Sequence, residues 1–163
     1  QPEKPIIDLL KGVGIAVIAA TGNTGDTSMM QSPACISSAF SVAATLANST
    51  TAGGNNNTSN QLDLFAPGVS ITSSDSGGGF STGSGTSLAA PHVAGAWAVI
   101  KHANPSLSVT AVGNLLKSNG PTIIQNAVSR RRLSLTGVLN SVAPGTQTRT
   151  SYMPPIISLL LDY

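Results

Sequence analysis

An α/β fold with a doubly wound, mostly parallel sheet is the fold class that the sequence predicts. Two runs of small and branched apolar residues, at residues 14–20 and 39–46, have the composition of buried parallel strands. A third apolar stretch, residues 87–103, has helical spacing and the small side chains of a central helix. The 163 residues suffice for one domain with a sizeable core.

The N-terminal part of the chain predicts one helix followed by two strands. Four apolar residues have the spacing of the last turns of an amphipathic helix: Ile6, Ile7, Leu9 and Leu10. We expect this helix to be cut at residue 1. The first strand, residues 14–20, ends in a polar loop at residues 21–25. The second, residues 39–46, precedes a loop rich in Asn, Ser, Thr and Gly at residues 48–60, which we expect to be exposed.

The next stretch predicts two short extended segments, residues 62–66 and 69–73, which flank Pro67 and Gly68. Three consecutive glycines, residues 77–79, then permit unusual backbone angles. We expect a loop here that brings the backbone close to another group.

Two helices follow in the C-terminal part of the chain. The apolar stretch over residues 87–103 predicts the first, and Ser108 has the position of a cap for the second. Gly120 and Pro121 are the stop signal of that second helix. Residues 143–163 have the composition of a linker, or of the start of an appended region.

The composition excludes several classes of function. Hydrophobic residues make up 40% and charged residues 9% of the chain, which suits a secreted or extracellular hydrolase. The net charge of +2 and a single basic cluster, residues 130–132, argue against a nucleic-acid partner. No stretch approaches the roughly 18 apolar residues that span a membrane. Cys35, the only cysteine, excludes an internal disulfide and a cysteine-based zinc site, and we predict neither a metal nor a cofactor.

The most specific string in the sequence is residues 85–95 (GTSLAAPHVAG). Gly85 lets the backbone approach a ligand closely, and Ser87 lies where a helix begins, among unpaired N–H groups that favour negative charge. An isolated serine in this position would be interpreted as a helix cap. The whole string resembles the active-serine signature of the subtilisin-like serine proteases, the subtilases. This resemblance implies that Ser87 is the nucleophile and that the substrate is a peptide or protein.

A second string, residues 17–23 (VIAATGN), is similar to the subtilase strand and turn that end in the asparagine of the oxyanion hole. The resemblance implies that Asn23 donates its side-chain NH2 to a developing oxyanion, with the backbone N–H of Ser87 as the second donor. It also implies a set of substrate-binding residues: Ala20, Thr21, Gly22, Gly85 and Thr86.

Three further stretches match the same family in the same order: residues 32–35, 64–68 and 79–85. The resemblance therefore covers roughly residues 6–142. It implies a three-layer subtilisin-like fold of which only the C-terminal portion is present, with residues 1–142 as the C-terminal part of the peptidase domain.

The other members of a catalytic triad are missing from this chain. The only histidines, His92 and His102, both follow Ser87 on the predicted helix, and we assign His92 a packing role. Subtilases order their triad as Asp, His and then Ser, so the resemblance implies that the Asp and His lie upstream of residue 1. We therefore expect the isolated chain to be nearly inactive, with the N-terminal part of the same domain as its partner. Cys35 is either a buried small residue or half of a disulfide whose partner lies in that N-terminal part.

Two alternative functions are compatible with the sequence. A non-catalytic pseudoprotease or peptide-binding module would explain the missing triad members. A lipase-like hydrolase would use Ser81, since residues 79–83 fit the G-x-S-x-G pattern, although we expect no strand directly before this motif, no helix directly after it and a loop at Ser81. The glycosylation sequons are Asn48, Asn56 and Asn57, all in the loop that we expect to be exposed, and we assign them no role.

Overall fold

A three-stranded parallel sheet lies at the centre of the computed structural model, which describes residues 1–47 and 50–142. The helices are α1 (Lys4–Gly12), α2 (Thr86–Ala103), α3 (Val109–Ser118) and α4 (Leu135–Val142). The strands are β1 (Ile18–Ala20), β2 (Phe40–Leu46), β3 (Leu64–Val69), β4 (Ile71–Ser74), β5 (Phe80–Gly83), β6 (Thr122–Gln125) and β7 (Val128–Arg131). The predicted linker at residues 143–163 lies outside the described residues.

The central sheet has the strand order β1-β2-β3, with both pairs parallel. Two antiparallel hairpins, β4 with β5 and β6 with β7, lie outside it. Because every β2 residue from Phe40 to Thr45 is buried, this strand is covered on both faces, as expected of a parallel sheet. Because β1 and β2 are parallel, their carboxyl ends lie at the same edge of the sheet. The candidate site begins there, at the end of β1.

Alternate residues of β2 enter two separate cores, which makes the structure three-layered. Val42 belongs to the core that contains Val93 and Ile100 of α2. Ala43 belongs to the core on the other face, which contains Ile7 of α1. The α/β class and the parallel sheet that the sequence predicts are thus present.

Several element boundaries differ from the sequence prediction. Helix α1 begins at Lys4, and the strand predicted over residues 14–20 is reduced to its last three residues, Ile18–Ala20. Strand β3 runs through Pro67, where two separate segments were predicted. Within the described residues, β3 is an edge strand of the sheet. Pro67 is tolerated there because its missing N–H removes no hydrogen bond to a further strand.

Two predictions about loops are wrong. Ser81 lies within the exposed strand β5, paired with Ser73, and not in a loop. The polar stretch after β2 is not uniformly exposed, since Asn56 and Asn57 have only 2% and 3% of their surface accessible. These two asparagines are therefore poor glycosylation acceptors, whatever the compartment. The β6–β7 hairpin and helix α4 had no counterpart in the sequence prediction.

In the described part of the chain, no helix combines the length and the apolar character needed to cross a lipid bilayer. Over those same residues, no group of three or more His, Cys, Asp or Glu side chains is arranged to hold a metal ion.

Candidate active site

Ser87 lies in the first turn of α2 and is exposed to solvent. The first N–H groups of a helix have no acceptor inside the helix. Here the N–H of Thr86 donates to Asn23 and that of Leu88 donates to the carbonyl oxygen of Gly85. Among the hydrogen bonds of the described residues, the N–H of Ser87 has no acceptor, so it remains available to a ligand.

Asn23 lies in the loop that follows β1, and its side chain is also exposed. Its Oδ1 atom accepts the N–H of Thr86 at 2.9 Å. Since a backbone N–H can only donate, the amide atom that faces it must be the oxygen, which fixes the orientation of the amide. Among the described residues, the Nδ2 group of Asn23 has no hydrogen-bond acceptor, so it is available as a donor.

Gly85 separates the two groups, and a side chain there would crowd both of them. A Cβ atom on Gly85 would lie 3.3 Å from Nδ2 of Asn23 and also 3.3 Å from Oγ of Ser87. The serine hydroxyl and the amide donor are therefore no farther apart than twice that distance. Any side chain on Gly85 would enter the space between them.

Thr86 connects the helix to the loop from a fully buried position. Its Oγ1 atom accepts the N–H of Gly22 at 3.1 Å, while its own N–H binds Asn23. The sequence suggested that Thr86 contacts a substrate. Because none of its surface is exposed, its hydroxyl instead positions Gly22, and its backbone N–H positions Asn23.

The predicted pocket wall is only partly accessible. Ala20 is half-buried, whereas Thr21 is fully buried, with its N–H bonded to Val42 and its carbonyl oxygen accepting the N–H of Gln31. The side chain of Gln31 covers Gly22, where a Cβ atom would lie only 2.7 Å from Cδ of Gln31. Sequence reasoning missed Gln31, since nothing in the local pattern marks it.

The loop that carries Asn23 is held by its own polar groups. The Asp26 carboxylate accepts the backbone N–H and the hydroxyl of Ser28 and the backbone N–H of Met29, at 2.8 to 2.9 Å. These bonds, that from the Ser28 N–H foremost, lower the pKa of Asp26 below its ordinary value of 3.8. Asp26 is thus a structural carboxylate of the loop.

His92 has a structural contact of its own. Its Nδ1 atom lies 2.8 Å from the carbonyl oxygen of Leu88, one turn earlier in α2. A carbonyl can only accept, so Nδ1 carries the proton in this contact. Among the described residues, no hydrogen bond joins Ser87 to His92 or to His102, which is exposed near the end of α2.

A serine and an amide donor lie on either side of a glycine at the start of a central helix, an arrangement that is compatible with a serine hydrolase. The sequence profile of the subtilase family, peptidase family S8, matches residues 6–142. The chain therefore belongs to the subtilase family of serine proteases.

Curated relatives match over most of this chain but over less than half of their own length. Subtilisin BL from Lederbergia lenta is 39% identical over 110 residues, a match that covers 68% of this chain and 40% of that protein. Alkaline elastase YaB from Bacillus sp. strain YaB is 39% identical over 114 residues, covering 68% of this chain and 29% of that protein.

Solved structures support the same fold. A cold-adapted subtilisin-like serine proteinase superposes with a TM-score of 0.74 at 30% identity, covering 80% of this chain and 48% of that one. A protease from Pseudoalteromonas arctica superposes with a TM-score of 0.75 at 23% identity, covering 86% and 46% of the two chains, and at this identity the likeness concerns the fold alone. The predicted subtilisin-like α/β fold is confirmed, in a chain that spans about half the length of these solved structures.

Proposed function

We propose that this chain carries the nucleophile and the oxyanion donors of a serine endopeptidase that cleaves peptide bonds through an acyl-enzyme on Ser87. The observation that supports it is the position of the Ser87 hydroxyl and the Asn23 Nδ2 group at equal distances from the Cβ position of Gly85. When Ser87 Oγ attacks a carbonyl carbon, the oxygen of that carbonyl becomes negatively charged. Asn23 Nδ2 and the N–H of Ser87 are the two neutral donors that would stabilise it.

The proton of Ser87 needs a base, which we assign to a histidine, oriented by an aspartate, in the N-terminal part of the same domain. The absence of a histidine bonded to Ser87 among the described residues supports this assignment, as does the 40% coverage of Subtilisin BL. The isolated chain is accordingly nearly inactive, because an unassisted serine hydroxyl is a poor nucleophile at neutral pH.

The partner surface for that N-terminal part is the outer face of α1 together with the free edge of β1. Three apolar side chains at helical spacing are exposed: Ile6 (63% accessible) and Leu9 (67%) on α1, and Val13 (65%) directly after it. Strand β1 is the first strand of the sheet and lacks a neighbour on its outer side within the described residues.

We also assign the protein a secreted or extracellular location, in keeping with its few charged residues.

The experiment uses the full-length protein from the complete reading frame and a chromogenic peptide substrate. We expect hydrolysis by the wild type, a loss of about 10⁶-fold in kcat for Ser87→Ala and a loss of about 10²- to 10³-fold for Asn23→Ala, both magnitudes being those of subtilisin itself. Ser81→Ala, on the exposed strand β5, is the matched control and should retain full activity.

If the folded full-length protein binds peptides without cleaving them, the protein is a pseudoprotease and the proposed peptidase function is wrong. Full activity of the Ser87→Ala variant would contradict the proposed nucleophile directly.

A further inference from the structure

We infer that Asn57 is a positioning residue of this site and that it holds the loop on which the oxyanion donor Asn23 lies. The inference rests on the proposed function. Asn57 belongs to the polar stretch after β2, 34 positions away from Asn23 in sequence, and it is 97% buried, with only 3% of its surface accessible. A buried amide in a loop requires a reason, because a polar group taken out of water is unfavourable unless it is hydrogen-bonded.

The reason lies in the bonds that its side chain accepts. The single Oδ1 atom of Asn57 accepts the N–H of Thr24 at 2.8 Å, the Thr24 hydroxyl at 2.9 Å and the N–H of Asp26 at 3.4 Å. Its backbone N–H donates to the carbonyl oxygen of Gly22 at 2.9 Å. Asn57 therefore binds the chain on both sides of Asn23, at the residue before it and at the residue after it.

Thr86 also binds this loop, and Thr86 and Asn57 together fix the backbone of Asn23. Thr86 binds Gly22 and the Oδ1 atom of Asn23, whereas Asn57 binds Gly22 and Thr24. A donor stabilises an oxyanion only if it already points at the right place, and a misplacement of about 1 Å can cost about 10²-fold in rate. Loss of the Asn57 amide would leave Asn23 present but imprecisely placed.

The neighbouring residue Asn56 provides a matched control. Its side chain is equally buried, with 2% accessible, but it bonds the backbone N–H and carbonyl oxygen of Ala44 in β2 and the side chain of Gln125 in β6. It makes no hydrogen bond to residues 22–26. Removing either amide should therefore affect stability, and only the removal of Asn57 should affect catalysis through Asn23.

The test is a double-mutant cycle in the full-length protein, with kcat and KM measured for a peptide substrate. We expect Asn57→Ala to lower kcat about 10-fold with KM changed less than about twofold, since an oxyanion forms only in the transition state. In an Asn23→Ala background, Asn57→Ala should lower kcat by less than about twofold, because its effect passes through Asn23. Asn56→Ala should leave kcat unchanged in both backgrounds.

The outcomes separate this inference from the proposed function. If Asn23→Ala leaves kcat unchanged, the proposed oxyanion hole fails, and the role of Asn57 fails with it. If Asn23→Ala is impaired and the Asn57→Ala loss is absent, or is equally large in both backgrounds, only the positioning role is overturned. Should Asn57→Ala not fold, Thr24→Val removes one of the three bonds at an exposed position, and a loss of about two- to threefold that vanishes without Asn23 is expected.

Discussion

The backbone N–H of Thr86 donates to Oδ1 of Asn23 at 2.9 Å, and this hydrogen bond determines which end of the Asn23 amide can serve a ligand. The buried Thr86 hydroxyl binds Gly22, so the start of α2 and the loop after β1 are joined by two bonds over more than 60 residues of sequence. The loop that carries the candidate oxyanion donor is therefore bonded directly to the residue that precedes the serine.

Replacing Thr86 by valine tests this connection, because valine has the shape of threonine but no acceptor for the buried N–H of Gly22. We expect a loss of about 1–3 kcal/mol in the free energy of unfolding, as for other buried groups left unsatisfied. We also expect kcat of the full-length protein to fall. Urea unfolding and peptide hydrolysis measure the two effects.

Thr86→Ser is the control, since it retains the hydroxyl and removes only a buried methyl group, at about 1 kcal/mol. Its kcat should stay near that of the wild type. If Thr86→Val and Thr86→Ser lost activity equally, packing and not the hydrogen bond to Gly22 would be responsible.

The local signals in the sequence were sufficient for part of this structure. The Ser108 hydroxyl accepts the N–H of Ala111 at 3.1 Å, as the cap signal predicted. Strand β2 and helix α2 begin within one residue of their predicted starts, because a run of small apolar residues has few alternatives to burial. The positions of Ser87 and Asn23 came from family resemblance, and their proximity depends on tertiary packing that no local pattern encodes.

The buried asparagines show why the rest could not be predicted. A stretch of Asn, Ser, Thr and Gly has the composition of a solvated loop. Asn56 is nevertheless buried because its amide completes the ladder of β2 and binds Gln125, a residue 69 positions away. Burial of such a residue is set by partners distant in sequence, and the β6–β7 hairpin that supplies one of them also escaped prediction.

A second prediction concerns Gly68, at the contact between β3 and the start of α2. A Cβ atom there would lie 2.7 Å from Cβ of Ala44 and 2.8 Å from the carbonyl oxygen of Gly85. Gly68→Ala should therefore lower the free energy of unfolding by about 1–3 kcal/mol through overpacking, and should displace the residue that separates Ser87 from Asn23.

Gly54→Ala is the matched control, since a Cβ atom at Gly54 would meet nothing within 4 Å. Its unfolding free energy should stay within about 0.5 kcal/mol of the wild type. Equal stability of the Gly68 and Gly54 variants in urea would show that the sheet and helix can separate without penalty.

Acid stability should depend on Asp26. Because the Ser28 N–H, the Ser28 hydroxyl and the Met29 N–H lower its folded pKa below 3.8, the unfolded chain binds the proton more tightly. The contribution of Asp26 is therefore complete above that value and is lost as the pH falls through the lowered folded pKa. Asp26→Asn should reduce the urea midpoint near neutral pH, and the difference from the wild type should shrink as the pH falls through the lowered folded pKa. Ser28→Ala should show a smaller change of the same sign. A midpoint difference that grows towards low pH would contradict this origin.

The choice between Ser87 and Ser81 can be made by chemical labelling. A fluorophosphonate reacts with a serine whose hydroxyl is activated by a base and whose developing oxyanion is stabilised. Among the described residues, the N–H of Ser87 has no acceptor, and the Asn23 amide lies beside it. Ser81 instead lies inside strand β5, opposite Ser73, and not on the turn between strand and helix where a nucleophile elbow places its serine. We therefore expect the full-length protein to carry one adduct and expect Ser81→Ala to label at the wild-type rate. Trypsin leaves Ser81 and Ser87 on one peptide, residues 12–101, so fragment-ion sequencing of that peptide should place the adduct on Ser87. An adduct that persists in Ser87→Ala and disappears in Ser81→Ala would transfer the nucleophile to the hairpin and contradict the proposed role of Ser87.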